Sequence, residues 1–404
     1  QPPAVTSFSA THHPAVPGQS VTHSATASDP ENNALEYRFD FGDGTPRTAW
    51  SSSASTSHAY ASAGRYFAKA IVRDVAGLTA VSVLTVTVTN ETATRTPPRS
   101  TEVEVDETRR TVWTVNPDHG TVTALNADTL ARRFEAAVGE DPRSLAIDAQ
   151  GRAWVACRRD DRIARVQPDG TTLPPIALDY GDAPHGIVLS PNGANAFVSL
   201  SGPGEVIRLN TSTAAITGRL ALGPTARALA LSPDGATLYV SRFVSVQDHA
   251  EVWRVNTATM TLAGTIRLDK LGDNARRDST AEGKGTPNYL AGLAVSKDGS
   301  RLLVASNKMN SDKGLLVGAD LDQDNTVRNL LTVIDTATNE VIDSLDLDNS
   351  DSASAVAFSP LGDYFFVTLQ GNNEISVFDR FEVDRSAGLG GFVSRQTVGR
   401  SPRG

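Results

Sequence analysis

Cysteine is nearly absent from the chain, since Cys157 is the single cysteine among 404 residues. One thiol excludes an intrachain disulfide framework and a cysteine-ligated zinc site, and the lack of a Cys-x-x-Cys-His motif excludes covalently attached haem. The neighbouring Arg158 and Arg159 are a weak sign of a reactive thiolate. A buried, inert thiol is the prediction that we prefer.

Long apolar runs and excess positive charge are also missing. No stretch approaches the ~20 apolar residues that a membrane-spanning helix needs, so we expect no transmembrane segment in this chain. The 37 lysine and arginine residues are outnumbered by 46 aspartate and glutamate residues, which gives a net charge of −9. A nucleic-acid-binding protein needs a basic surface, so this balance argues against nucleic-acid partners.

The residues that are present favour strands and turns. Hydrophobic residues make up 39% of the chain, and 32 glycines and 21 prolines supply turns. A length of 404 residues predicts two or three domains at about 100–200 residues each. We therefore expect an all-β protein with more than one domain.

The chain starts at Gln1 without an initiator methionine or signal peptide, and we interpret it as a processed or truncated piece of a longer protein.

The first 90 residues consist of short alternating segments separated by turn residues. In the last of these segments, Leu84, Val86 and Val88 alternate with threonines, so one face is apolar and the other polar. Short strands with this alternation predict an immunoglobulin-like β-sandwich over residues 1–90.

Three motifs in this region match the sequence pattern of a known domain family. An aromatic-Asp-Phe-Gly-Asp-Gly run ends at Gly44, and it is followed by His58-Ala59-Tyr60 and Gly64-Arg65-Tyr66. With these motifs, residues 3–90 resemble a polycystic kidney disease (PKD) domain. The resemblance implies an extracellular spacer or adhesion module rather than an enzyme.

The motif side chains of this region are predicted to be structural. We expect Asp40 and Asp43 to accept hydrogen bonds from turn amides, and His58 and Tyr60 to lock the sandwich. Calcium at the turn that begins with Asp29 is the less favoured alternative, because few carboxylates surround it. A linker follows over residues 91–99, and Pro97-Pro98 should stiffen it toward polyproline II.

The remainder, residues 100–404, is a repeat array. A turn of the form Ser-Pro-Asp-Gly, or a variant of it, begins at positions 106, 148, 190, 232, 296 and 359, so the intervals are 42, 42, 42, 64 and 63 residues. Each repeat reads as four short strands. A period of about 40–45 residues with four strands is typical of β-propeller blades, and six blades are predicted here.

The second strand of each repeat carries an aromatic-Val-small motif. Examples are Phe197-Val198-Ser199 and Tyr239-Val240-Ser241. These repeats resemble the YVTN repeats of surface-layer and periplasmic propellers, which implies a location at the cell surface or in the periplasm. The resemblance is specific for the fold and says little about activity.

The segment Gly399–Gly404 looks like the start of another blade. Pro402 and Arg403 match Pro142 and Arg143, which lie where the second blade begins. We therefore expect a truncated seven-bladed ring of which this chain supplies six blades, and a further domain can follow beyond the C-terminus. A complete six-bladed ring is the alternative.

One position in the repeat predicts a ligand site. The first strand of a propeller blade lines the central channel, and the residue near its start faces the channel mouth. Four positive or titratable residues share this register: Arg143, His185, Arg227 and Arg403. Ala291 and Ser354 complete the set. Guanidinium groups at a channel mouth suit a carboxylate or phosphate, whereas the alternative is that they pair with nearby carboxylates.

Two long insertions interrupt the regular period, at about residues 268–288 and 307–328. Both should lie on the face that carries the channel mouth, and loops of this length often bind partners. Asp320, Asp322 and Asp324 alternate in the second insertion as in a calcium loop, although the pattern is incomplete. No other cofactor is expected.

These observations predict a non-catalytic, extracytoplasmic binding or scaffold protein, periplasmic or at the cell surface, that recognises a protein or polysaccharide partner through the face with the insertions. The alternative is a propeller enzyme of the lactonase or lyase type that acts on an anionic substrate at the channel mouth, where His185 is a weak base candidate. A third possibility is a carbohydrate-binding adhesin that uses Trp50 or Trp253. We name no catalytic residue.

Overall fold

The computed structural model describes residues 1–12, 14–90, 97–271, 285–309, 327–347, 352–385 and 391–399. The chain divides into two compact units. The first comprises residues 1–92 with 361–363, and the second comprises residues 93–360 with 364–404. Among the described residues, no helix is both long enough and apolar enough to cross a bilayer.

The N-terminal unit is a sandwich of two three-stranded antiparallel sheets, ordered β1-β2-β4 and β3-β5-β6. Because side chains alternate in direction along the strands and just beyond them, Phe39, Phe41 and Tyr60 lie in the core between the two sheets. The predicted immunoglobulin-like sandwich is confirmed. The six strands are β1 (Ala4–Ala10), β2 (Ser20–Ser28), β3 (Glu36–Asp40), β4 (Ser55–Ala59), β5 (Gly64–Arg73) and β6 (Thr79–Val88).

The motif residues of this unit are structural, as predicted. Oδ1 of Asp40 accepts a hydrogen bond from the Gly42 amide at 3.1 Å, and Oδ1 of Asp43 accepts one from the Thr45 amide at 3.1 Å. Nε2 of His58 lies 2.6 Å from Oδ2 of Asp43. These contacts hold the turn and the strand that follows it in one arrangement.

The described residues of the second unit form six four-stranded antiparallel sheets, in which the first strands of successive blades pack against one another. This is the predicted propeller architecture, with six blades. A short helix, α1 (Arg380–Arg385), follows the third strand of the last blade. Blade 1 holds β7 (Val103–Asp106), β8 (Thr111–Asn116), β9 (Thr121–Asn126) and β10 (Arg132–Ala137); blade 2 holds β11 (Pro142–Ile147), β12 (Ala153–Cys157), β13 (Arg162–Val166) and β14 (Thr172–Ala177); blade 3 holds β15 (Pro184–Leu189), β16 (Asn195–Leu200), β17 (Glu205–Asn210) and β18 (Ile216–Ala221); blade 4 holds β19 (Ala226–Leu231), β20 (Thr237–Arg242), β21 (His249–Asn256) and β22 (Thr261–Asp269); blade 5 holds β23 (Thr286–Val295), β24 (Arg301–Met309), β25 (Val327–Asp335) and β26 (Glu340–Leu347); blade 6 holds β27 (Ala353–Phe358), β28 (Tyr364–Leu369), β29 (Glu374–Asp379) and β30 (Phe392–Thr397).

Burial differs between the middle blades and the end blades. Every residue of β12 in blade 2 is buried, because other blades cover both of its faces. In blade 1, by contrast, β8 alternates between buried and half-buried residues. Among the described strands, β27 and β7 do not pack on each other as the other successive first strands do. The middle blades therefore contain the most deeply buried strands of this unit.

Each first strand from blade 2 to blade 6 contains a β-bulge near its start, where its register with the second strand shifts. We call the displaced side chains the bulge residues: Arg143, His185, Arg227, Ala291 and Ser354. A bulge leaves one backbone segment outside the regular ladder, so its amide needs another acceptor.

A buried hydroxyl supplies that acceptor. In blade 3, Oγ of Ser199 accepts a hydrogen bond from the Gly186 amide at 2.8 Å and donates to the carbonyl oxygen of Arg227 in blade 4 at 2.6 Å. In blade 4, Ser241 accepts from the Ala228 amide at 3.0 Å and donates to the carbonyl oxygen of Leu290 in blade 5. The hydroxyl thus satisfies the bulge and joins two blades.

In blade 2 the hydroxyl lies on the first strand instead of the second. Ala156 stands where Ser199 stands in blade 3, and it pairs with Ser144. Oγ of Ser144 accepts from the Ile187 amide at 2.9 Å and donates to the carbonyl oxygen of His185 at 2.8 Å. Both partners belong to blade 3, so this hydroxyl joins the two blades without satisfying the bulge of its own blade.

The segment before β7 lies in the propeller channel. The amide of Leu231 donates to the carbonyl oxygen of Pro98 at 2.8 Å, and the amide of Ser100 donates to the carbonyl oxygen of Leu229 at 2.8 Å. The amide of Leu145 donates to the carbonyl oxygen of Thr101 at 2.9 Å. Residues 98–101, which we call the channel segment, therefore bridge the first strands of blades 4 and 2. The end of the predicted linker is thus part of the propeller.

Replacing the buried hydroxyl should destabilise the propeller. The substitution Ser199→Ala leaves the Gly186 amide without its acceptor, so we expect the free energy of unfolding to fall by about 1–3 kcal/mol. Urea unfolding followed by tryptophan fluorescence measures the change. Ser199→Thr, which keeps a hydroxyl as Thr368 does in blade 6, should recover part of the loss. Ser212→Ala, at an exposed hydroxyl, is the control, and equal effects from S199A and S212A would contradict the assignment.

Candidate functional site

The five bulge residues lie around one cavity of about 380 Å³ at the centre of the propeller, and the channel segment lines it as well. The predicted register therefore brings Arg143, His185 and Arg227 together. Arg403 lies outside the described residues, as do Asp320, Asp322 and Asp324. Within the part of the chain that is described, no three His, Cys, Asp or Glu side chains group as metal ligands.

Backbone conformation explains why these side chains converge. The residue near the start of each bulge has positive φ, which turns the chain so that the next side chains face the channel. Five residues share this left-handed conformation: Asp141 (56°), Ala183 (48°), Thr225 (64°), Tyr289 (52°) and Ser352 (54°). Gly186 is needed for another reason, since a Cβ there would lie 2.5 Å from the carbonyl oxygen of Arg227.

Arg143 is held at the cavity by Asp141. One of its terminal nitrogens lies 2.6 Å from Oδ1 of Asp141, while Arg158 approaches Oδ2 of the same carboxylate at 3.7 Å. Nε of Arg143 is buried and has no hydrogen-bond partner among the described residues. The predicted alternative of pairing with a carboxylate is therefore partly realised, and one donor of the guanidinium is left over.

Arg227 is fixed from two directions. Its Nε donates to Nε2 of His185 at 2.7 Å. Its guanidinium carbon lies 3.7 Å from the ring centroid of Phe243, within the distance of a cation–π contact. Phe243 in turn lies next to Tyr289, with ring centroids 5.2 Å apart. A guanidinium stacked on an aromatic ring keeps its donors in the plane of the group, where they can reach a ligand.

His185 is neutral in this environment. Burial, together with the positive charges of Arg227 and Arg143, holds the pKa of its imidazole well below the usual value. Because Nε2 accepts a hydrogen bond from Arg227, the proton of the neutral ring is on Nδ1. The lone pair on Nε2 of His185 is therefore already used.

Arg99, Phe243 and Tyr289 are among the lining residues that were not predicted. Arg99 belongs to the channel segment and had been assigned to the linker. Burial lowers the pKa of its guanidinium, which Glu104 opposes, yet an arginine stays charged at physiological pH. Tyr289 could have been predicted from the repeat, because it occupies in blade 5 the position that Asp141 occupies in blade 2.

The cavity has two chemically different sides. The channel segment and blades 2–4 contribute the charged groups, including Glu102 as the acidic lining residue. Blades 5 and 6 contribute neutral polar side chains, among them Asn307, Ser354 and Gln370. One side thus suits an anion, whereas the other suits hydroxyl or amide groups.

The described ends of the two insertions are neighbours. Thr286, near the end of the first insertion, pairs with Met309, near the start of the second, so these parts of the predicted loops belong to strands β23 and β24. Asn307, where the second insertion begins, lines the cavity. Residues 272–284 and 310–326, which make up most of both insertions, lie outside the described residues.

The remaining predictions of the sequence have mixed outcomes. Trp253 is 4% exposed, so the suggestion that it contacts carbohydrate is wrong. Trp50 is half-buried, with the guanidinium of Arg73 over its ring at 4.2 Å. Cys157 is fully buried, which confirms the predicted inert thiol.

Comparison with known proteins supports the fold of both units. Residues 1–89 match the PKD domain family. Hydrazine synthase from Kuenenia stuttgartiensis has a similar solved structure, with a TM-score of 0.66, 20% identity, and coverage of 78% of this chain and 90% of that chain. Virginiamycin B lyase from Staphylococcus aureus has a TM-score of 0.51, 15% identity, and coverage of 75% and 85%. Identities this low show the fold alone. No curated protein sequence matches the chain.

The neutral state of His185 should affect stability at low pH. Below its usual pKa of about 6.5, the unfolded protein binds a proton on His185 that the folded protein excludes, so stability falls as the pH decreases. His185→Gln keeps an acceptor for Arg227 and cannot be protonated. We expect the wild type to lose more unfolding free energy than H185Q between pH 7 and pH 5, as measured by urea titration. Equal losses would show that His185 does not remain neutral.

The thiol of Cys157 should resist modification in the folded state. Burial raises the pKa of the thiol to about 12, although Arg162 opposes the shift. We expect a disulfide reagent at pH 8 to label the unfolded protein rapidly and the native protein only at the rate of unfolding. Rapid labelling of the native protein would contradict this placement.

Proposed function

We propose that this protein is a non-catalytic, extracytoplasmic binding protein whose propeller holds an anionic group at the mouth of its channel. The observation that supports this most directly is the convergence of Arg99, Arg143 and Arg227 on one cavity. Guanidinium groups bind carboxylates and phosphates through paired, charge-assisted hydrogen bonds.

The chemistry of His185 favours binding over acid–base catalysis. A general base needs a free lone pair within reach of a substrate proton, and the lone pair on Nε2 of His185 accepts from Arg227. The low pKa of the ring also makes it a poor proton acceptor near neutral pH. These features make the lactonase or lyase alternative the weaker proposal.

The location and partner follow from the two-unit organisation. PKD domains are typically extracellular, and residues 1–89 match that family. We propose that this unit is a spacer and that the propeller recognises a protein or polysaccharide partner at the cell envelope. We propose that the two insertions take part in this recognition, a proposal supported by the pairing of Thr286 with Met309 and by Asn307, which lines the cavity.

Binding of simple anions tests the proposal. We expect acetate and inorganic phosphate to shift the amide signals of the cavity residues in an NMR titration at low ionic strength. Arg143→Ala and Arg227→Ala should each weaken this binding about tenfold or more, because each removes a charge-assisted hydrogen-bond donor. Added salt should also weaken it.

Arg132→Ala is the matched control, since it removes the same charge from a side chain that is 66% exposed on the outermost strand of blade 1. Melting curves of all variants establish that the fold is kept. The proposal is wrong if the wild type binds none of the probes, or if R132A weakens binding as much as R143A does.

A further inference from the structure

We infer that the anionic group held in this cavity is the carboxylate of an acidic sugar residue. This inference rests on the proposed anion-binding function and specifies its ligand class. It follows from the charge, the two-sided chemistry and the size of the cavity.

The charges at the cavity favour an anionic ligand. Three guanidinium groups, from Arg99, Arg143 and Arg227, line it, and Glu102 is the one carboxylate among the described lining residues. Asp141, which pairs with Arg143, is also approached by Arg158, so these two outer groups add no net charge. The excess of positive charge suits a carboxylate, and the uncharged groups of the cavity decide which molecule carries it.

The neutral side of the cavity favours a polyhydroxyl ligand. Asn307 and Gln370 bring amides that can both donate and accept, and Ser354 brings a hydroxyl. Sugar hydroxyls need partners of this double character. A simple carboxylate or an aliphatic acid would leave these groups without a ligand contact.

Aromatic side chains complete the arrangement. Tyr289 lines the cavity and remains 39% exposed, although it is a large side chain at the centre of the propeller. Its ring lies against Phe243, whose own ring holds Arg227. An exposed ring with an apolar face and a polar hydroxyl suits a pyranose, which has an apolar face and polar edges.

The cavity volume is sufficient for a sugar ring. Ligand pockets span about 300–1,000 Å³, and the cavity of about 380 Å³ is at the small end of that range. It therefore accommodates one acidic monosaccharide unit, either free or at the end of a glycan.

A set of matched probes tests this inference. At constant ionic strength, isothermal titration calorimetry compares D-glucuronate with D-glucose, which lacks the carboxylate, and with acetate, which lacks the ring. We expect glucuronate to bind about tenfold or more tightly than either. A further titration with an oligogalacturonide distinguishes a glycan end from a free sugar. A preference for the oligomer shows that the bound unit belongs to a glycan.

Two variants separate the contributions of charge and ring. Arg99→Ala should weaken glucuronate and acetate by similar factors. Tyr289→Ser should weaken glucuronate about tenfold and leave acetate unchanged, and serine is compatible with the backbone because Ser352 adopts the same conformation in blade 6. R132A again serves as the control.

The failures of the two proposals are distinguishable. If acetate or phosphate binds with dependence on Arg143 but glucuronate is no tighter, the sugar inference is overturned and anion binding stands. Tighter binding of phosphate than of glucuronate also overturns the sugar inference. If no anion binds, both proposals fail.

Discussion

The packing of the blades depends on hydrogen bonds between buried hydroxyls and the bulged first strands, which Ser199, Ser241 and Thr368 form in blades 3, 4 and 6. Where blades meet at the axis, a regular ladder would leave no room for the bulge residues to turn into the channel. The bulge creates that room, and Ser199 or Ser241 satisfies the amide that the bulge exposes. The same hydroxyl then donates to a carbonyl oxygen of the next blade. One side chain therefore satisfies the bulge amide and also joins two blades.

This arrangement explains how the scaffold positions the site. Oγ of Ser199 bonds the carbonyl of Arg227, and Oγ of Ser144 bonds the carbonyl of His185. The backbone of each cavity side chain is thereby fixed by the preceding blade. The side chains then fix each other, because His185 accepts from Arg227 and Asp141 pairs with Arg143. A cavity built of pre-positioned donors binds without the cost of ordering flexible side chains.

Much of the fold, and part of the site, could be predicted from the sequence because both repeat locally. A bulge occupies the same place in blades 2 to 6, so it preserves the register and aligns Arg143 with His185 and Arg227. Arg99 could not be found in this way, since its position depends on pairing with a strand some 130 residues away, for which no local pattern exists. The exchange of a hydroxyl between Ala156 and Ser144 is also invisible until strand pairing is known.

The channel segment has a consequence for how the chain folds during synthesis. Ser100 pairs with Leu229, 129 residues later in the chain. At about 5–20 residues per second, the ribosome needs on the order of ten seconds to make that partner. Blades 2 and 3 are complete in sequence before the segment can be captured between blades 2 and 4. Arg99 therefore reaches the cavity only after the first strand of blade 4 has been made, and the basic cluster cannot be complete before that point.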